Sequence, residues 1–188
     1  LSANMKGILA AAGIDPERFA GSALDVRDAL RKVKRRADNP FGVDYGRFSD
    51  DQLVDNWNPS IFPNFAMNAL PESVQVMRFL PDARDPGRCV FHVWTLARET
   101  RPGVRPTPFF GVEDDADLSG ATRPPRRRTT QERPELGFVL EQDVSNMALV
   151  QRGLASSGCT EVRLSEQEGR IQQLHAEIDR RIAARAAR

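Results

Sequence analysis

Ser73-Val74-Gln75-Val76-Met77-Arg78-Phe79-Leu80, followed by Arg88-Cys89-Val90-Phe91-His92-Val93-Trp94-Thr95-Leu96-Ala97-Arg98, is the stretch that decides the fold. In the first segment Val74 and Val76, and less cleanly Phe79, alternate with Gln75 and Arg78. In the second, Val90, His92, Trp94 and Leu96 share one face, and Phe91, Val93 and Thr95 share the other. Alternation of this kind is the mark of a strand, because successive side chains point to opposite faces of a sheet. Pro81 to Gly87, with Asp82, Asp85-Pro86 and Gly87, supplies turn chemistry, so the two strands form an antiparallel hairpin. Upstream, the Phe- and Asn-rich run from Asn58 to Leu70 reads as a further strand, giving a sheet meander.

Helices flank this sheet. Ser2 to Gly13 is Ala-rich, with Met5, Ile8, Leu9 and Ala12 at helical spacing and Gly13 as a stop. Asp15-Pro16 opens a second helix running to about Ala37, with Phe19, Leu24, Val26, Leu30 and Val33 apolar. Its late Arg31, Lys32, Lys34, Arg35 and Arg36 read as a solvated helix end whose cations oppose the dipole. Ser49-Asp50-Asp51-Gln52 is a capping box ahead of Leu53, Val54 and Trp57. Residues Glu99 to Pro134 hold many of the prolines, an acidic run at Glu113 to Asp117 and a basic run at Arg126 to Arg128, and read as a long loop or insertion. Leu136 to Leu154 returns to helical period. A last helix opens at a second capping box, Ser165 with Glu168, and carries Ile171, Leu174, Ile178 and Ile182, a stripe expected to pack on a sheet.

The composition closes several routes. Two cysteines, Cys89 and Cys159, and two histidines, His92 and His175, with no C-x-x-C pair, exclude a disulfide framework and a complete zinc or iron–sulfur site within this chain. A formal net charge of +1 argues against nucleic-acid binding through bulk electrostatics, and the Lys32 to Arg36 and Arg126 to Arg128 runs lack interleaved aromatics. No apolar run spans a membrane and no secretory signal is readable, so a cytoplasmic protein is expected. The chain begins at Leu1, as a piece of a longer reading frame would.

The helix from Leu136 to Leu154 carries the chemical clue. With Leu140 at the origin and about 100° per residue, Val144 falls near +40°, Met147 near −20°, Leu154 near −40° and Val150 near −80°. Asp143, at about −60°, and Gln151, at about +20°, lie inside that apolar arc, whereas Glu141, Gln142, Ser145 and Arg152 lie outside it. A buried carboxylate needs a cation, a metal or a full set of hydrogen bonds. Periodicity alone leaves three accounts of Asp143: satisfaction by backbone donors or an arginine, a metal or catalytic role, or a different helix register.

Glu141-Gln142-Asp143-Val144-Ser145-Asn146-Met147, continuing through Val150-Gln151-Arg152-Gly153-Leu154 to Ser157-Gly158, resembles the C-terminal signature of Rieske-type ring-hydroxylating oxygenase alpha (large) subunits. Asp50-Asp51-Gln52-Leu53 with Asn58 and Ser60-Ile61-Phe62-Pro63-Asn64 is similar to that family's entry into its central sheet. Arg163-Leu164-Ser165-Glu166-Gln167-Glu168 with Ile171 and His175 is similar to its last helix. The three stretches occur in family order from about Phe48 to Ile182.

The resemblance implies an α+β fold, part of a helix-grip (START/Bet v 1-like) catalytic domain in which an antiparallel sheet wraps a long helix. It implies a mononuclear non-haem Fe(II) held by two histidines and a carboxylate, a [2Fe-2S] Rieske cluster, and NAD(P)H acting through a partner reductase or ferredoxin. It also implies a homo-oligomer, a trimer in the intact protein, and a small apolar or aromatic substrate hydroxylated with O2. Asp143 matches the position of the carboxylate ligand, with no catalytic residue expected beyond it. Asn64 and Phe65, on the strand beside the substrate cavity, and Gln151 are candidate pocket residues, with core packing an equal account of Phe65 and a purely structural amide the favoured account of Gln151. His92 and His175 match no ligand position and read as structural. The C-x-H, C-x-x-H and paired-histidine motifs are absent and belong upstream of the matched region. Residues 1–188 thus read as the C-terminal part of a catalytic domain, inactive alone, with exposed apolar surface and unpaired strand edges at its N-terminal side. A non-catalytic helix-grip protein binding an apolar ligand is the alternative.

Overall fold

The computed structural model describes all residues except 107–111, 113–114, 122, 133–134, 137 and 188. The chain divides into two units, Leu1–Ser60 with Phe65–Arg127, and Ile61–Asn64 with Arg128–Arg188.

The first unit opens with helix α1 (Ala3–Ala11), started by the Ser2 hydroxyl, which accepts from the Met5 amide, and ended at Gly13, where φ is +74°. The next helix, α2 (Ala23–Lys34), begins later than Asp15-Pro16 suggested. Asp15 instead closes a turn, its Oδ1 accepting from the Glu17 amide at 3.0 Å. The true start is Ser22, whose amide donates to Asp25 Oδ2 at 2.7 Å in a reciprocal capping box. An N-cap that satisfies orphan helix amides outweighs proline's bare φ preference. Helix α3 (Asp50–Val54) starts at the expected Ser49–Gln52 box. Of the late cations of α2, Lys32, Arg35 and Arg36 are exposed as a solvated end has them, whereas Lys34 is buried. Arg31 pairs with Asp51 at 3.0 Å, Arg35 pairs with Asp50 at 2.7 Å, and Arg27 pairs with Asp55, clamping α2 to α3.

A core of Leu9, Ala12, Val26, Leu30, Phe41, Val43, Tyr45 and Leu53 fills the space among these helices and the turns after α2. Val26, Leu30 and Lys34 recur every four residues along α2, so the same face that buries Val26 and Leu30 carries Lys34 inward. Lys34 is 6% exposed and its ammonium lies 2.7 Å from the Glu72 carboxylate, itself 4% exposed. The same ammonium donates to the Leu53 carbonyl at 2.6 Å and lies over the Phe41 and Tyr45 rings. The Tyr45 hydroxyl donates to Glu72 Oε1. Burial pushes the Lys34 ammonium down from its ordinary value against the upward pull of Glu72. Burial, reinforced by the Glu72 charge, holds the Tyr45 phenol well above its own.

The sheet has the order β1-β2-β3-β4, from β1 (Ser60–Ile61), β2 (Phe65–Ala69), β3 (Ser73–Pro81) and β4 (Cys89–Ala97), with β2–β3 and β3–β4 antiparallel. The hairpin is the expected one, with Arg78 opposite His92 and Val76 opposite Trp94. Its turn is tied by Asp82 Oδ1, which accepts from the amides of Arg84 and Asp85 at 2.8 and 3.1 Å. The run from Asn58 to Leu70 is two short strands instead of one, because the chain turns at Phe62-Pro63 between them. The described residues of 99–134 contribute no helix or strand to this order.

The second unit holds α4 (Phe138–Leu154) and α5 (Gly169–Ala186), the latter entered through a 3₁₀ turn at Glu166–Glu168. The Ser165–Glu168 box is present, the Ser165 amide donating to Glu168 Oε2 at 2.6 Å. The stripe of α5 was expected to pack on a sheet. Instead Ile171, Leu174, Ile178 and Ile182 are 39% to 62% exposed. Amphipathic period fixes which side of a helix is apolar, not what covers it. The fold is α+β, an antiparallel sheet with helices, consistent with a helix-grip-like domain.

The Lys34–Glu72 pair yields a direct prediction. Lys34→Met or Glu72→Gln alone leaves a buried group without its counterpart and should destabilise the first unit by about 3–5 kcal/mol. The double variant should recover much of that loss, as read from urea unfolding followed by Trp57 and Trp94 fluorescence.

Candidate functional site

Helix α4 is long enough to present Asp143 and Gln151 from one element, eight residues or about 12 Å apart along the axis. Both side chains are exposed, whereas Leu140 and Val144 at the start of the same arc are buried, 6% and 7% exposed. The arithmetic that placed Asp143 among apolar positions is right about its neighbours and wrong about burial. Met147, Val150 and Leu154, which complete the arc, are themselves 39% to 56% exposed. The acid shares an uncovered apolar strip, so it needs no internal cation. Among the described residues no hydrogen bond or ion pair engages the Asp143 carboxylate. Gln131, by contrast, donates to the Val144 carbonyl at 3.0 Å and ties down the buried start of the helix.

The other candidates lie on other elements. Phe65 lies half-buried on β2, opposite Arg78. Asn64, also half-buried, precedes it and belongs to the second unit. His92 sits on β4, its Nδ1 3.1 Å from Arg78 Nη2 and its ring edge-on to Trp94 at 5.3 Å. The Arg78 guanidinium lies over the Trp94 ring at 5.4 Å. These contacts occupy His92 with sheet neighbours, and His175 is exposed on α5. Neither histidine lies in a ligand set.

For a non-haem iron, the described residues supply a donor of the right type in Asp143 but not a complete set. Among the described residues, no three or more His, Cys, Asp or Glu side chains converge closely enough to hold a metal ion. The described residues therefore do not by themselves fit the ion. Among the described residues the most heavily buried ionisable cluster is Lys34 with Glu72 and Tyr45, which the sequence reading does not single out. The signal was there: Lys34 follows Leu30 by four residues on the apolar face of α2, the same test that singled out Asp143.

The model of the ring-hydroxylating alpha subunit catalytic domain matches residues 11–184, nearly the whole chain. The chain belongs to this family. No curated protein and no solved structure matched it. Membership makes the chain part of an oxygenase family, and therefore of a class of oxidoreductases. Among the described residues no helix is long and apolar enough to cross a membrane.

Because the Asp143 carboxylate is exposed and unengaged, removing its charge should leave folding untouched. Asp143→Asn should change stability by no more than about 0.5 kcal/mol. Leu140→Ala, three residues away and buried, should cost about 2 kcal/mol or more. Circular dichroism during urea unfolding of the two variants separates these outcomes.

Proposed function

We propose that the chain is the C-terminal part of the catalytic domain of a terminal oxygenase, which hydroxylates an aromatic or related apolar substrate with O2. The family match over residues 11–184 is the observation that carries this reading. In it, Asp143 is the anionic ligand of a mononuclear non-haem Fe(II), and the remaining donors come from histidines outside this chain. The ion, when bound, supplies the activation of O2. A carboxylate suits this place because it neutralises part of the ferrous charge while leaving positions open. The free, exposed carboxylate on α4 supports the assignment, since a ligand must not be spent on an arginine or on backbone amides.

Electrons reach such a site from NAD(P)H through a partner reductase or ferredoxin and a [2Fe-2S] Rieske cluster, whose C-x-H and C-x-x-H motifs this sequence does not contain. Asn64, Phe65 and Gln151 are the proposed pocket residues. A homo-oligomer and a cytoplasmic location complete the proposal.

In the intact oxygenase, Asp143→Ala should abolish iron occupancy and turnover and leave the visible absorbance of the cluster unchanged. Normal turnover in that variant would overturn the assignment. The 188-residue chain alone should show no tight, stoichiometric uptake of Fe(II) in a calorimetric titration, because one carboxylate holds a ferrous ion only weakly. Tight uptake would place His92 or His175 among the ligands.

A further inference from the structure

Across β2, β3 and β4 one line of the register holds Phe65, Arg78 and His92, and the next in phase holds Met67, Val76 and Trp94. Opposed residues of a sheet share a face with those two positions along, so these six side chains form one surface of the first unit. All six are half-buried. On these three strands Arg78 is the only formal charge, His92 apart. A cation on an apolar surface is costly unless something offsets it. Lys34, Arg31 and Arg27, likewise sheltered, each have a carboxylate: Glu72, Asp51 and Asp55. Among the described residues no carboxylate pairs with Arg78. The Trp94 ring, 5.4 Å from its guanidinium, and His92 Nδ1, 3.1 Å from Nη2, hold it in place.

Those two contacts fix the orientation of the guanidinium without neutralising it. Arginine only donates, so His92 Nδ1 is the acceptor, and the imidazole keeps its proton on Nε2 and carries no charge. The Arg78 Nε is enclosed without a partner, whereas Nη1 carries no hydrogen bond and is not enclosed. The surface therefore offers one positive charge and one unused donor group among apolar side chains, with the Phe65 ring on one neighbouring strand and the Trp94 ring on the other. One positive charge is matched by a monoanion, which favours a carboxylate over a phosphate carrying close to two charges. The flanking rings favour an aromatic body behind that carboxylate. We propose that Arg78 is the specificity-determining residue of the substrate pocket and that the substrate is an aromatic carboxylate, its acid group held at Nη1 and its ring on the neighbouring apolar side chains. The inference rests on the reading of Phe65 as a pocket residue, and it narrows the substrate class from apolar aromatic compounds to aromatic acids.

Calorimetric titration of the intact oxygenase without reductant, so that nothing turns over, tests the assignment with benzoate and 2-naphthoate and with the uncharged amide of each. At least one acid should saturate one site per chain and bind about tenfold more tightly than its amide, the difference a charge-assisted hydrogen bond makes. Arg78→Gln should weaken binding of that acid by about tenfold and leave binding of the amide unchanged. Arg78→Lys, which keeps the charge and loses the planar fork, should fall between the two. Where Arg78→Gln fails to fold, the preference of the unaltered protein for acid over amide decides the matter. Equal binding of acid and amide, saturable binding of neither acid, or equal weakening of acid and amide in Arg78→Gln overturns the proposal. Oxygenation assays keep it distinct from the reading on which it rests. A protein that oxygenates the amides and shows no preference for the acids overturns the role of Arg78 and leaves the oxygenase reading standing. The preference without oxygenation of any of these compounds supports the Arg78 site and removes the oxygenase reading.

Discussion

The first unit depends on a buried ion pair. Lys34 closes the apolar face of α2, and Glu72 stands at the turn that starts β3, so the pair joins a helix to the sheet across the interior. Charges taken out of water are tolerable only when every neighbour helps. Here the Leu53 carbonyl, the Tyr45 hydroxyl and two aromatic rings gather on the pair. That requirement fixes the end of α2, the position of α3 through its Leu53 carbonyl, and the path of the chain through Phe41, Val43 and Tyr45. Glu72 Oε2 stays unpaired in the interior, so the arrangement specifies geometry more than it maximises stability.

Much of this fold was legible because its signals are local. Capping boxes at Ser49 and Ser165, the stop at Gly13 and the alternation of β3 and β4 depend only on residues within a few positions of one another. At the start of α2 two local signals compete, and the reciprocal Ser22–Asp25 box prevails over Pro16. Lys34 escaped notice because a cation near a helix end has a ready explanation in the dipole. Its burial is decided by Glu72, far away in sequence.

Asp143 and Lys34 pose the same puzzle, a charge among apolar helix positions, and the structure answers it in opposite ways. Lys34 is enclosed and paired, whereas Asp143 lies open with Met147, Val150 and Leu154 on a strip that the described residues leave bare. Periodicity places both residues correctly on their helices. Whether a face is covered depends on tertiary partners, and no wheel contains them. The family assignment rests on the match over residues 11–184, which does not depend on which helix face is covered.

Strand β4 ends the sheet order, and its sequence from Cys89 to Ala97 carries no formal charge apart from what His92 can gain. Val90 and Leu96 are more than half exposed. An open, apolar edge is a template for another strand, and proteins guard such edges with charges. Arg88 and Arg98 stand at the two ends of β4 as those guards. Their like charges repel a second copy most where salt is low. Handled alone at high ionic strength, the chain loses that protection and becomes prone to edge-to-edge aggregation, with the exposed Cys89 thiol ready to lock neighbouring copies together under oxidising conditions.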